Sequence, residues 1–246
     1  MHLKRGFCIM SETKIDVVLP CYNPSGDWVT IINKGIERLR GMMPDKRLHL
    51  IVVNDGSSRN ITAEGIERFK LTVADSEFIS YETNRGKGYA LRKGIGATTS
   101  SMVVYTDWDF PYDAESITTV IHKLVEGYDV VVAARTKSYR RHADLNAFRS
   151  FMSIASRFLN RVVLRMKFND AQGGLKGMSA RGKEIFLNTT IDGFLFDTEF
   201  IHNASRIKGL KMCEIKANVR EGVHLSPMGL KVLRREFPNF IKIIFS

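Results

Sequence analysis

The chain reads as an α/β protein built around one mostly parallel central sheet with flanking helices, and three observations predict this. Short, β-branched apolar runs (IDVVLPC at 15–21, LHLIVV at 48–53, MVVYT at 102–106, DVVVAA at 129–134) alternate with stretches whose apolar residues recur at helical spacing. The connections between them are short, and alternation of this kind calls for parallel strands joined by right-handed crossovers. Each run also stops abruptly in polar or glycine-rich residues, as buried strands do when they deliver side chains to a sheet edge.

The elements follow in order. The strand at 15–21 runs into Asn23-Pro24-Ser25-Gly26, and Asp27 opens a helix carrying Ile31, Ile32, Ile36 and Leu39. The strand at 48–53 ends in Asn54-Asp55-Gly56-Ser57-Ser58; a short helix with Ile61, Ile66 and Phe69 follows, then an outer strand from Phe78 to Tyr81. Asn84-Arg85-Gly86-Lys87-Gly88 precedes a helix from Tyr89 to about Ala97, and the next strand ends at Asp107. After Asp113 a helix with Ile117, Val120, Ile121 and Leu124 leads to the strand that ends at Arg135.

Beyond Arg135 a basic stretch leads into a long helix over 145–167, with Phe148, Phe151, Ile154 and Phe158 on one side. Gly173-Gly174-Leu175-Lys176-Gly177 reads as a tight return, followed by helices near 180–187 and 198–207 and a strand over 211–219. No repeat or low-complexity linker interrupts the chain, so it divides into an N-terminal extension (1–14), one domain (15–226) and a basic amphipathic segment (227–246).

With 246 residues, 44% of them hydrophobic, the chain can bury a full core. A formal net charge of +11 points to anionic company: nucleic acid, a membrane surface or phosphorylated small molecules. Cys8, Cys21 and Cys213 are odd in number and widely spaced, which suggests neither a disulfide framework nor a zinc site and fits a reducing, cytoplasmic setting. The apolar tetrad at 7–10 is too short for a signal peptide, and no apolar run reaches a membrane span. In the last segment Leu230, Leu233, Phe237, Phe240, Ile241 and Ile244 fall at helical spacing among Lys231, Arg234, Arg235 and Lys242. Two readings fit it: peripheral contact with an anionic membrane face, or a terminal helix packed on the domain.

In a parallel sheet the strand ends Pro20-Cys21-Tyr22-Asn23, Asn54-Asp55-Gly56-Ser57, Asn84-Arg85-Gly86-Lys87-Gly88 and Asp107-Trp108-Asp109 face one edge and converge on one crevice. Their chemistry suits a nucleotide. Tyr22 can flank a base, and Asp55 is an acceptor for a ring N–H or a ribose hydroxyl. Gly86 and Gly88 permit close approach to a helix start whose N–H groups, with Lys87, would meet phosphate. Asp107 and Asp109 beside a diphosphate would repel it unless a divalent cation lay between, which Mg²⁺ or Mn²⁺ satisfies; alternatively Asp109, or Asp113, merely caps the next helix.

The series PCYN, NDGSS, NRGKGYAL and TDWD, in this order and spacing, resembles the family 2 (GT-A fold) glycosyltransferases, closest to the polyprenyl and dolichyl phosphate sugar transferases. The resemblance runs from about Ile15 to Val219. It implies an inverting, metal-dependent transferase that moves a sugar from a nucleotide-sugar donor to a lipid phosphate or a growing glycan. By position, Pro20, Tyr22, Asp55 and Lys87 would line the nucleoside pocket, and Asp107 and Asp109 would handle the sugar diphosphate and the metal. Arg135, Arg149, Ser153 and Arg220 resemble positions that grip phosphate, a task suited to the guanidinium fork. The chain departs from the pattern at Pro24, where Glu is common, at Asn54, where Asp is common, and near Pro111, where Gln is usual.

Asp197 and Glu199 lie where related transferases place an acidic residue near the acceptor: a base for a sugar hydroxyl, or simply residues of a helix N-terminus. A lipid phosphate would arrive already ionised and need no base. Two other functions compete, a nucleotidyltransferase of similar fold, which would release pyrophosphate, and a basic nucleic-acid-binding module. The aromatics sit at core periodicity and disfavour the latter. Oligomeric state is not legible in the chain.

Overall fold

The computed structural model describes residues 13–135, 168, 173–193, 195–220, 236 and 238–243. They form a seven-stranded sheet flanked by six helices: β1 (Thr13–Cys21), α1 (Trp28–Met42), β2 (Lys46–Asp55), α2 (Ala63–Thr72), β3 (Ser76–Tyr81), α3 (Lys87–Ala97), β4 (Met102–Tyr105), α4 (Ala114–Val125), β5 (Val130–Arg135), β6 (Lys176–Met178), α5 (Ala180–Leu187), α6 (Phe196–Ser205) and β7 (Met212–Ala217).

The strand order is β3-β2-β1-β4-β6-β5-β7. All pairings are parallel except those of β6, which runs antiparallel to both β4 and β5. The return at 173–177 therefore contains a strand that the sequence reading takes for a turn. Three residues with a central glycine carry no period of their own, and β6 exists because β4 and β5 offer it ladders on both sides.

Side-chain alternation sorts the core into two layers. Ile15, Val17 and Leu19 of β1 and Leu50 and Val52 of β2 pack under α1, α2 and α4, whereas Val18, Ile51, Val53 and Tyr105 pack under α3, α5 and α6. A cluster of Trp28, Phe69 and Phe78, with ring centroids 5.6–5.8 Å apart, ties α1 and α2 to the edge strand β3. Helix starts follow the expected chemistry at Asp27 and Asp113, whose carboxylates accept from the amides of Thr30 (3.2 Å) and Ser116 (2.8 Å). The capping alternative thus falls to Asp113 and leaves Asp109 outside the helix.

The long helix expected over 145–167 lies outside the described residues. Of the segment 227–246, residues 238–243 are helical, and Phe240 and Ile243 pack into the layer under α6. Glu236 accepts from the Leu195 amide at 3.3 Å, while Ile241 and Lys242 face outward. Among the described residues no helix is long and apolar enough to cross a membrane.

Candidate active site

The parallel register fixes where the chemistry lies. Cys21 pairs with Asn54 and Asn54 with Ser80, so β1, β2 and β3 end level with one another. Val18 pairs with Tyr105, which sets Asp107 at the height of Pro20, and Arg135 closes β5 at the same edge. Pro20 is buried in β1, while Tyr22, half exposed, stands at the mouth of the crevice.

Asp107 to Phe110 forms a turn closed by the Phe110 amide donating to the Asp107 carbonyl at 3.0 Å. Phe110 takes a left-handed conformation (φ 47°), rare for a bulky residue and worth about 1–3 kcal/mol of strain. Its ring fills the space above Gly35 of α1, where a Cβ would lie 2.3 Å from it, and this packing holds the turn. The strand-like stretch after β7 docks on the following residues: the Arg220 amide donates to the Pro111 carbonyl at 2.8 Å, and Tyr112 bridges to Val219. The Arg220 guanidinium donates to the Asp109 carbonyl, so a phosphate-gripping candidate stands beside the acidic pair from 111 residues away.

Lys87 begins α3 and pairs with the Asp107 carboxylate. Burial works to lower its pKa, but the charges of Asp107, Asp197 and Asp109 more than offset that and hold it above the usual lysine value. Asp109 is raised from the ordinary carboxylate range, by burial first and then by the charge of Asp107. Buried Cys21 is pushed up to about 12 by desolvation and the Asp109 charge, which makes it an inert thiol.

Asp55 is almost fully buried, and its carboxylate accepts four donors: Tyr81 Oη (2.8 Å), Asn84 Nδ2 (2.8 Å) and the amides of Arg85 (2.8 Å) and Gly86 (3.0 Å). It therefore pins the loop leading into α3. Gly86, at φ 104°, makes the sharp entry to that helix, and a Cβ there would meet the Asp192 carbonyl at 2.5 Å. The same carbonyl accepts the Gly88 amide at 2.9 Å. Of the helix-start amides expected to meet phosphate, that of Gly88 is thus taken by the loop over 189–193, which packs onto the helix start, and that of Gly86 by Asp55. Lys87 is left as the group at that end which faces the acidic pair.

Asp197 and Glu199 stand in the first turn of α6, whose cap residue Leu195 makes no side-chain cap bond. Asp197 is buried, pairs with Lys176 Nζ at 2.8 Å and accepts the Tyr105 hydroxyl. Glu199 reaches back to the Thr190 amide and hydroxyl (3.0 and 2.8 Å) and the Ile191 amide (2.8 Å). Arg149 and Ser153 lie outside the described residues. The sequence reading gives Lys176, Tyr105 and Tyr81 no role of their own and takes Asn84 only as part of a strand-end series; a lysine between Leu175 and Gly177 is the one signal for the first.

The acidic pair fits a divalent cation. Burial, and then the charge of Asp107, raises Asp109, and Lys87 compensates in part. Among the described residues no group of three or more His, Cys, Asp or Glu is poised to hold a metal. One or two carboxylates with substrate oxygens completing the shell is the usual arrangement for Mg²⁺ and Mn²⁺.

A family model described as glycosyl transferase family 2 matches residues 16–186. Glycosyltransferase AglD of Haloferax volcanii is 28% identical over 205 residues, covering 82% of this chain and 32% of that protein, so the chain spans about a third of the relative's length. Among solved structures, glucosyl-3-phosphoglycerate synthase from Mycobacterium tuberculosis, in complex with Mn²⁺, UDP-glucose and phosphoglyceric acid, superposes with a TM-score of 0.67 at 17% identity over 95% of this chain and 80% of its own. Mannosyl-3-phosphoglycerate synthase from Rubrobacter xylanophilus gives 0.68 at 17% identity over 95% and 73%. The mannosyltransferase PcManGT from Pyrobaculum calidifontis, in complex with GDP-mannose and Mn²⁺, gives 0.55 at 16% identity over 94% and 62%. These likenesses establish the GT-A fold expected from the motif series.

Proposed function

This chain belongs to glycosyl transferase family 2, and we propose that it moves a sugar, with inversion, from a nucleotide-sugar donor to a phosphate-bearing lipid acceptor, polyprenyl phosphate in class. The carrying observation is the convergence of Lys87, Asp107, Asp109 and Arg220 at one sheet edge, beside a loop pinned by Asp55. In this reading an acceptor phosphate oxygen attacks the anomeric carbon, the bond from that carbon to the diphosphate oxygen breaks, and nucleoside diphosphate departs. A divalent cation at Asp107 and Asp109 would supply Lewis-acid stabilisation of the leaving group. Lys87 and Arg220, with Arg135, Arg149 and Ser153 in the same role by position, bind and orient the phosphates; Pro20 and Tyr22 shape the nucleoside side, and Asp55 fixes the loop that leads to Lys87.

The acceptor class is supported by the two acidic residues suited to act as a base. Asp197 is locked to Lys176 and Tyr105, and Glu199 clamps the loop at 190–191. A sugar hydroxyl would need a carboxylate free to take its proton, whereas a phosphate monoester brings its own negative charge. Incubating the purified chain with Mn²⁺, UDP- or GDP-sugars and a short polyprenyl phosphate should yield a lipid-linked sugar and nucleoside diphosphate. Release of pyrophosphate instead would identify a nucleotidyltransferase, and transfer only to free glycan would reject the acceptor.

The outward face of the terminal helix supports peripheral contact with an anionic, cytoplasmic membrane surface, since Ile241 and Lys242 project away from the packed Phe240 and Ile243. Ile241→Asp with Lys242→Glu should release the protein from liposomes containing anionic lipid without moving its thermal midpoint. Unchanged sedimentation with the liposomes would reject the contact.

A further inference from the structure

We propose that Lys176 is a positioning residue for the donor site: its buried ammonium, fixed by Asp197, holds the Gly173–Gly174 backbone against Asp107 and Lys87. This rests on the reading of Asp107 as a donor and metal ligand.

A fully buried lysine is rare, and its ammonium must be paired and hydrogen-bonded to be tolerated. Packing alone would be served as well or better by an apolar side chain of the same length. The ammonium pairs with Asp197 Oδ1 at 2.8 Å, donates to the Gly173 carbonyl at 2.6 Å and lies 5.7 Å from the centre of the Tyr105 ring.

Each contact leads to the acidic pair. The loop arm is direct: a Cβ at Gly174 would lie 2.8 Å from Asp107 Oδ2 and 3.4 Å from Lys87 Nζ, so the backbone there roofs the ion pair. The strand arm runs through Tyr105, which is the cross-strand partner of Lys176, donates its hydroxyl to Asp197 and precedes Asp107 by two residues. Asp107 is thereby held from the Gly174 backbone, from Lys87 and along β4, and Lys176 joins the first of these to the third. Asp197 acquires a role separate from proton transfer, as the counter-charge that anchors this ammonium.

The decisive protein is the charge-balanced pair Lys176→Met with Asp197→Asn, compared with wild type, Lys176→Arg and Gly174→Ala. Mn²⁺ alone serves as probe, read through quenching of the fluorescence of Trp108, which stands between the two carboxylates in sequence; the other tryptophan, Trp28, is buried against Phe69 and Phe78. Loss of a residue that orients a metal ligand typically weakens binding or activity by about 10- to 100-fold. We expect that loss in Mn²⁺ affinity and in kcat for the charge-balanced variant, a thermal midpoint near wild type, and partial recovery in Lys176→Arg.

A folded charge-balanced variant with wild-type quenching and kcat would overturn the assignment. If that variant fails to fold, Gly174→Ala decides, since it leaves the Lys176–Asp197 pair in place and pushes on the Asp107–Lys87 pair, on Asp107 most closely: weakened quenching supports the roof, and wild-type quenching overturns it. A wild type that neither quenches nor transfers sugar overturns the reading of the site itself, an outcome distinct from a Lys176 variant that matches an active wild type.

Discussion

Asp109→Ala is expected to lose sugar transfer by about a thousandfold or more while unfolding at the same temperature as wild type or slightly above it. In the proposed reaction the rate follows from charge: with the cation unanchored, the departing diphosphate would lose a Lewis acid worth several kcal/mol, and about 4 kcal/mol is a factor near a thousand. The stability follows from the sign of the shift. Burial, then the charge of Asp107, raises the Asp109 carboxyl above its ordinary value. A carboxyl raised in the folded state penalises folding at neutral pH, where its unfolded counterpart is ionised, and the penalty disappears once the pH falls below the unfolded value.

Any stability gained by Asp109→Ala should therefore shrink on acidification, in the absence of metal, from neutral pH into the carboxylate range. Thermal melts at a series of pH values, paired with initial rates, check both halves. Wild-type activity in a folded variant would remove Asp109 from the mechanism. A large drop in midpoint at neutral pH would mean that the turn depends on this carboxylate and not on Phe110.

The acidic pair was legible because strand ends obey a simple rule: an apolar run that stops in two carboxylates delivers them to the edge where parallel strands bind ligands. Asp113 was legible as a cap candidate because a helical apolar pattern follows it, and its carboxylate accepts from the Ser116 amide. What escaped depends on register and tertiary contact, neither of which a single sequence displays. Tyr81 reaches Asp55 because the two are paired across β2 and β3. β6 is three residues recruited by its neighbours, and the Lys176–Asp197 pair spans 21 positions joined only by folding. Glu199 reads as a helix-start acid, yet it turns back to the preceding loop, a choice set by where Thr190 and Ile191 lie.

Asp55→Asn is expected to cost about 3–5 kcal/mol of stability and to weaken binding of every nucleotide by a similar factor. All four lone-pair positions of the carboxylate are taken, two of them by the amides of Arg85 and Gly86. An amide in its place offers one oxygen and turns an NH₂ toward two donors, so at least two buried groups lose their partner at about 1–3 kcal/mol each, plus the charge assistance lost on the rest. The loop they anchor carries Lys87, so the loss should fall on the phosphate side of the pocket and be felt alike by UDP, GDP and the free diphosphate. A residue that reads the base would behave differently. Its amide variant would discriminate between uracil and guanine and leave the melting temperature near wild type. Binding isotherms for the two nucleotides, taken with a chemical denaturation curve, separate these outcomes, and an Asp55→Asn protein of wild-type stability with altered base preference would refute the organising role.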